Sequence, residues 1–452
     1  MKVIILASLL CVVTSAYPFS FEKDIYSGTK FPKDIPVYFT NTECFGQRVI
    51  QLPLDHFNEK DDRTFNLTYA LNINNFKPGG PIYLVMDVDY IGIGEYYSSQ
   101  VNRLARETNG AVFLTERRYG ANSRPFERLD PKNLQWLNTK QIMADYETLI
   151  RNIKKDQDYS QSKVVLYGLT RGGKFATWMR LLKPDLVDAV VASSATLLAK
   201  KDAKEVLEYE SNLLKRFGTG CYDKAKTAFS TYEKMLKTVE GREKIKTEFN
   251  VCPESDLSIP ENQYFMMDLI KMVSYNGELY CKENSNHDQD FKSEIEICND
   301  VSYEKYIDSA KALYLNFHYQ DCFEFGHFKT TSSKNQVFGN SAPLHFFTKM
   351  CKDLYDTEFD EAKLDKNIEL TNKLYGGNQP NVTKVIFVNG ELDGASTLSI
   401  LEDLSAESPA IVIPDQYKIA DAQQDSWKDS EELRNARKKI RQTIKSWIGS
   451  SD

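Results

Sequence analysis

The apolar positions of this chain change their spacing three times, and each change marks a different kind of element. Residues 64–73 alternate, with Phe65, Leu67, Tyr69 and Leu71 on one side. A shorter run, Arg48-Val49-Ile50-Gln51-Leu52, precedes them across a polar stretch at 58–62. A period of two broken by a polar turn predicts a β-hairpin. From residue 81 onward, short apolar runs at 81–86, 111–114, 164–167 and 189–192 alternate with helical faces at 96–108, 139–154 and 174–182. The second of these faces is carried by Ile142, Met143, Tyr146, Leu149, Ile150 and Ile153. Strand and helix in regular succession predict a mostly parallel sheet covered by helices on both sides, an α/β fold.

At Lys200 the succession stops. Helical patterns at 206–217, 224–239, 264–275 and 303–317 follow, and most of the cysteines lie among them. The strand-and-helix rhythm resumes with 384–388 and 411–413 and closes on an amphipathic run at 426–448. The expected organisation is therefore an α/β domain split between 17–200 and 371–452, with a helical insertion at 201–370 that caps a cleft. Residues 17–46 show no period and read as an irregular leader. There is no internal repeat.

Composition adds a compartment. The net charge of -7, with 27% charged and 41% hydrophobic residues among 452, is that of a globular chain and disfavours nonspecific nucleic-acid binding. Lys2, the apolar run at 3–13 and Thr14-Ser15-Ala16 have the layout of a signal peptide, 1–16, cut before Tyr17. No later run is long and apolar enough to predict a membrane span. The mature chain is expected to be secreted, or held in a lysosome-like compartment. Cys11 leaves with the leader. In an oxidising compartment the remaining cysteines are expected to pair as Cys221–Cys298, Cys252–Cys281 and Cys322–Cys351, with Cys44 left over. Their spacing matches no zinc motif. Asn66-Leu67-Thr68 and Asn381-Val382-Thr383 are glycosylation sequons.

Candidate chemistry centres on Val164-Val165-Leu166-Tyr167-Gly168-Leu169-Thr170-Arg171-Gly172-Gly173. A strand entering a glycine turn and leaving as a helix is the layout of a nucleophile elbow, written G-x-S-x-G where a serine attacks a carbonyl. Here the frame is Gly168, Thr170 and Gly172. An acid should follow a later strand, and Asp393 does. A histidine should follow the acid. The five histidines, His56, His287, His318, His327 and His345, all precede it. The general base is missing from its place.

Seven stretches in order carry a resemblance. Besides the elbow they are Pro53-Leu54-Asp55-His56-Phe57, Phe76-Lys77-Pro78-Gly79-Gly80-Pro81-Ile82 and Arg117-Arg118-Tyr119-Gly120. Next come Ala192-Ser193-Ser194-Ala195, Tyr319-Gln320-Asp321-Cys322-Phe323-Glu324-Phe325-Gly326, and Val388-Asn389-Gly390-Glu391-Leu392-Asp393. The chain resembles the serine peptidase family of prolyl carboxypeptidase and lysosomal dipeptidyl peptidase II. The resemblance implies an α/β-hydrolase fold with a helical, disulfide-bearing cap, and cleavage beside proline without metal or cofactor. It also exposes departures. Thr170 and Arg171 replace the family's Ser-Tyr, Lys418 falls at the family's histidine, and Asp393-Gly394-Ala395 replaces Asp-Pro-Trp. Asp87-Val88-Asp89-Tyr90 stands where the family has Gly-Gly-Glu-Gly, beside the oxyanion site, and Glu116 replaces a histidine.

A threonine adds a methyl group at a strained turn. A lysine beside Asp393 would stay charged and accept no proton. Asp87 and Asp89 would oppose developing negative charge. The expectation is a catalytically inactive relative that holds a peptide or protein ligand in the capped cleft, with Asp393, Lys418 and Arg171 in an ion pair filling the old site. A homodimer is compatible with this. The alternative is an active peptidase built on Thr170. His56 and Asp145 are expected to be structural, Trp178 to lie in the core, and Lys438-Lys439 to be a solvated face. Glu116 has no assigned role.

Overall fold

The computed structural model describes residues 45–88, 91–92, 98–218, 220–275 and 298–449. Eight strands form one sheet: β1 (Gly46–Pro53), β2 (Thr64–Asn72), β3 (Ile82–Val88), β4 (Ala111–Glu116), β5 (Val164–Leu169), β6 (Ala189–Ser193), β9 (Val385–Gly390) and β10 (Ala410–Ile413). Their order is β1-β2-β4-β3-β5-β6-β9-β10. β1 and β2 are the expected hairpin, with Ile50 opposite Leu67. β2 also runs antiparallel to β4, and every other pairing is parallel. β3, β4, β5, β6 and β9 are buried at every position. Continuous apolar runs bury both faces of a strand, which is what a parallel sheet flanked by helices requires.

The pleat divides the core in two. Ile82, Leu84, Met86 and Leu166 pack with Ile142, Tyr146, Leu149 and Ile150 of helix α2 (Thr139–Ile153) and with Phe175 and Trp178 of helix α3 (Arg171–Leu182). On the other face Tyr83, Val85, Val165 and Ile386 pack with Val101 and Leu104 of helix α1 (Ser99–Thr108) and with Ile440 and Ile444 of the closing helix (Glu431–Ile448). This strand order, with its antiparallel second strand, is the α/β-hydrolase arrangement. Trp178 is fully buried and stacks on Tyr375 at 4.1 Å. Lys438 and Lys439 are exposed.

Helices fill the chain between β6 and β9, and caps set boundaries that the apolar spacing blurs. The expected 224–239 helix is two, Cys221–Leu236 and Val239–Glu248, because the Thr238 side chain accepts from the Gly241 amide and starts a new helix. The closing helix starts at Glu431 because Ser430 caps it. Leu344–Tyr355 and Glu361–Tyr375 add two more helices. β7 (Lys200–Asp202) and β8 (Gly326–Phe328) pair as a second, two-stranded sheet that ties the start of the insertion to its 326–328 segment.

Cys322–Cys351 forms as expected, but the other expected pairings do not. Cys252 bonds Cys298, with Cα atoms 4.9 Å apart. Therefore neither Cys221–Cys298 nor Cys252–Cys281 exists. The cause is a backbone bridge: Val251 pairs with Asn299, and the Cys252 amide donates to the Asn299 carbonyl at 3.0 Å, which sets the two cysteines side by side. Cys221 is also disulfide-bonded, to a partner outside the described residues. Cys44, Cys281 and the 1–16 leader likewise lie outside them.

His56 is structural. Its Nε2 lies 2.8 Å from Asp145, whose carboxylate also takes two donors from fully buried Arg118, at 2.6 and 2.8 Å. Arg118 donates further to the Leu54 and Trp136 carbonyls, so this one guanidinium locks the hairpin onto helix α2. Glu116 closes the turn that follows β4, accepting from the Asn122 amide and the Ser123 hydroxyl. Removing one partner of a buried ion pair leaves the other charge uncompensated. Arg118→Met should therefore lower stability by about 3–5 kcal/mol, read as a fall in the urea midpoint. A loss below about 1 kcal/mol would show that the pair contributes no more than a surface bridge.

Candidate functional site

The elbow is present in full at the level of backbone. β5 runs into Thr170 at φ 50, ψ -115, and helix α3 starts at the next residue. The glycines are there because backbone passes through the space of a side chain. A Cβ on Gly168 would lie 2.3 Å from the Gly172 carbonyl oxygen, and one on Gly172 would lie 2.5 Å from the Met86 oxygen. The Thr170 amide donates to Ser193 at 2.8 Å and its carbonyl accepts from Gly173 at 3.1 Å. Holding a β-branched residue at positive φ costs on the order of 1–3 kcal/mol, which the surrounding backbone contacts must offset. The Thr170 residue itself is exposed.

Asp393 ends the turn after β9 and caps the short helix Gly394–Leu398, its carboxylate accepting from the Ala395 amide at 3.0 Å. Gly394 is required because Glu210, on the insertion helix Lys204–Leu213, lies where a Cβ would be, 2.6 Å away. Arg216 of the insertion binds Glu391 and Asp415 at 2.9 and 2.8 Å, and the Tyr209 hydroxyl donates to the Glu391 carbonyl. The insertion is thus fastened to both loops that would carry the acid and the base.

The loop bearing Lys418 is held at both ends. The Gln416 carbonyl accepts from Leu392, and the Ile419 amide donates to the Ser194 hydroxyl at 2.9 Å. Asp415 and Ile419 both have positive φ. Two residues further, buried Asp421 accepts from Ser193 at 2.5 Å and Tyr167 at 2.8 Å, and burial pushes its carboxyl up. Lys418 is exposed and makes no ion pair with Asp393. The expected pair filling the old site does not form. Asp393 serves its own turn, while Lys418 faces water.

Arg171 goes elsewhere as well. Its Nε lies 3.0 Å from Asp87, whose other oxygen faces Arg117 at 3.4 Å and accepts from Tyr146 at 3.4 Å. Asp87 sits at the end of β3, also at positive φ, with its side chain almost fully buried. Its charge is therefore matched by two guanidiniums rather than left to oppose an oxyanion. Val88 is buried; Asp89 lies outside the described residues. Every described histidine has its own neighbour: Asp145 for His56, Tyr306 for His318, the Leu198 carbonyl for His327 and Tyr264 for His345. Burial also pushes the His318 and His327 rings towards neutrality.

Lys174 is the site residue that the sequence reading passed over. It lies one turn into the elbow helix, 2% exposed, with its amine 3.6 Å over the Phe325 ring. It makes no hydrogen bond or ion pair among the described residues. Burial pulls the amine down to about 7, reinforced by Arg171 and opposed by Asp321 and Glu324. A cationic residue type on the buried face of an otherwise apolar helix was the available signal.

A folded value below the unfolded one means the unfolded chain binds the extra proton as pH falls from about 10.5 to about 7. Lys174 therefore costs stability that is fully felt below about pH 7 and vanishes above about pH 10.5. Lys174→Met should raise stability by roughly 2–4 kcal/mol at pH 6, with the gain shrinking steadily through pH 8 and 9. Urea midpoints across that range test this, and a gain independent of pH would assign it to packing alone.

The comparisons with known proteins agree with this geometry. A family described as serine carboxypeptidase S28 matches residues 52–302 and 260–440. The thymus-specific serine protease of Mus musculus is 26% identical over 446 residues, covering 88% of this chain and 87% of its own length. The lysosomal Pro-X carboxypeptidase of Bos taurus is 23% identical over 451 residues, covering 90% and 89%. With the hydrolase sheet, the elbow and the acid-bearing turn all inside the matched region, the chain belongs to the serine carboxypeptidase S28 family.

Proposed function

We propose that this protein is a non-catalytic S28 relative, exported and glycosylated, that uses the cleft above its elbow to bind a peptide or protein segment. The observation that carries the reading is that, among the described residues, Asp393 and Lys418 do not pair and every described histidine is engaged by another neighbour. Asp393 accepts from the Ala395 amide of its own turn, Lys418 is exposed and carries no carboxylate partner among the described residues, and the four described imidazoles have other neighbours. A hydroxyl attacks a carbonyl only when something takes its proton. Losing one member of such a triad costs several orders of magnitude in rate.

Export is supported by the signal-like leader, by the disulfides and by the exposure of both sequon asparagines, Asn66 and Asn381. Among the described residues no helix is long and apolar enough to cross a membrane. The relatives' names point to peptides containing proline as first ligands to try, and a lysosome-like compartment as an alternative destination.

The exposed Thr170 hydroxyl on an intact elbow favours a second reading, a slow threonine-based peptidase. Fluorophosphonate labelling of the purified glycoprotein separates the two, with Pro-X peptide turnover followed from pH 5 to 8. The expected outcome is no labelling and no turnover, with Thr170→Ala indistinguishable from the parent. Labelling that disappears in Thr170→Ala, accompanied by turnover, would establish the second reading.

A further inference from the structure

Several charged groups crowd the space between the elbow helix and the 321–327 segment of the insertion, and all but one have a partner. Asp87 is shared by Arg171 and Arg117. Asp321 lies 3.6 Å from His327, and Glu324 accepts from the Thr139 amide and hydroxyl and from Gln320. Among the described residues, Lys174 alone of these groups has neither hydrogen bond nor counter-ion, although it is only 2% exposed. A cation taken out of water without a partner is costly, and such groups cluster at binding and catalytic sites.

Direction matters as much as burial. Side chains on a helix lean back towards its N-terminus, and position 174 stands one turn from the elbow. The amine lies between two rings, 3.6 Å from the centre of Phe325 and 5.8 Å from that of Trp178. Elbow and insertion reach the surface nearby: Thr170 is exposed, Asp321 is 38% exposed and Arg171 is 23% exposed. The first turn of a helix adds amides that favour an anion. Phe325 is the ring that shields the amine.

We infer that Lys174 is the recognition group for a carboxylate of the ligand bound at the elbow, with the ammonium completed by that carboxylate and the Phe325 ring moving aside. The inference rests on the reading of the cleft as a binding site and names the chemistry it selects. The carboxylate could come from the end of a peptide or from an acidic side chain, and the probes distinguish these. Three are titrated into the whole mature glycoprotein by calorimetry: N-acetyl-trialanine as the free acid, the same peptide as its amide, and an N-acetylated peptide amide whose central residue is aspartate.

The expected result is binding of the free acid, the aspartate peptide or both, roughly tenfold or more tighter than the neutral amide. Binding should take up about half a proton at pH 7, because a carboxylate beside the amine favours its charged form. The preference should weaken as pH rises from 6 to 9 and disappear in Lys174→Met, whose folding is checked by its melting transition. The groups facing the amine, Arg171, Asp87, Asp321, Glu324 and His327, are unchanged in that variant. Equal affinity for acid and amide, a preference that survives Lys174→Met, or no binding of any probe would each overturn the inference. Cleavage of a probe would instead sink the non-catalytic reading, leaving the acid-over-amide preference as a separate measurement.

Discussion

Close backbone approach at the end of β5 is the constraint on which the rest depends. The Gly168 and Gly172 positions let the strand, the helix it feeds and the end of β3 share a volume that any Cβ would fill. That contact sets Thr170 at positive φ, aims the elbow helix and fixes where the insertion can dock. A serine is not needed to preserve it. The shape is specified by glycines, and the chemistry is specified separately by the side chain that the turn presents, so one can change while the other stays.

Around that fixed turn the charged side chains pair locally. Asp87 and two arginines fill the space beside the elbow with a matched cluster. Asp393 caps its own turn, and the loop carrying Lys418 is held by Ser194 and Leu392 and anchored through Asp421, with the lysine itself in water. Among the described residues at this site, each buried ionic group has a local partner except Lys174. In a low-dielectric interior that asymmetry is informative, because an unpartnered charge is the expensive state and pairing is the default.

The insertion is tied to the site by contacts that have little to do with its own core. Arg216, Tyr209 and Glu210 reach the Glu391–Gly394 turn, and the small parallel pairing of Lys200–Asp202 with Gly326–Phe328 fastens its base. The disulfides follow the same logic: Cys252 meets Cys298 because a backbone bridge brings residues 251 and 299 together.

Local pattern by itself determined the hairpin, the buried parallel strands, the two halves of the α/β layer and the elbow, because apolar period and glycine placement are properties of neighbouring residues. It also carried which residue types stand at the elbow, in the turn after β9 and in the 415–418 loop, since that is a question of identity and order. What only the tertiary structure decided is who meets whom across distance. Arg171 met Asp87 instead of Asp393, Cys298 met Cys252 instead of Cys221, and Lys174 met an aromatic ring and no counter-ion. Pairing between residues far apart in sequence depends on how elements stack and on which partner burial brings within a few ångströms, and neither spacing nor composition carries that information.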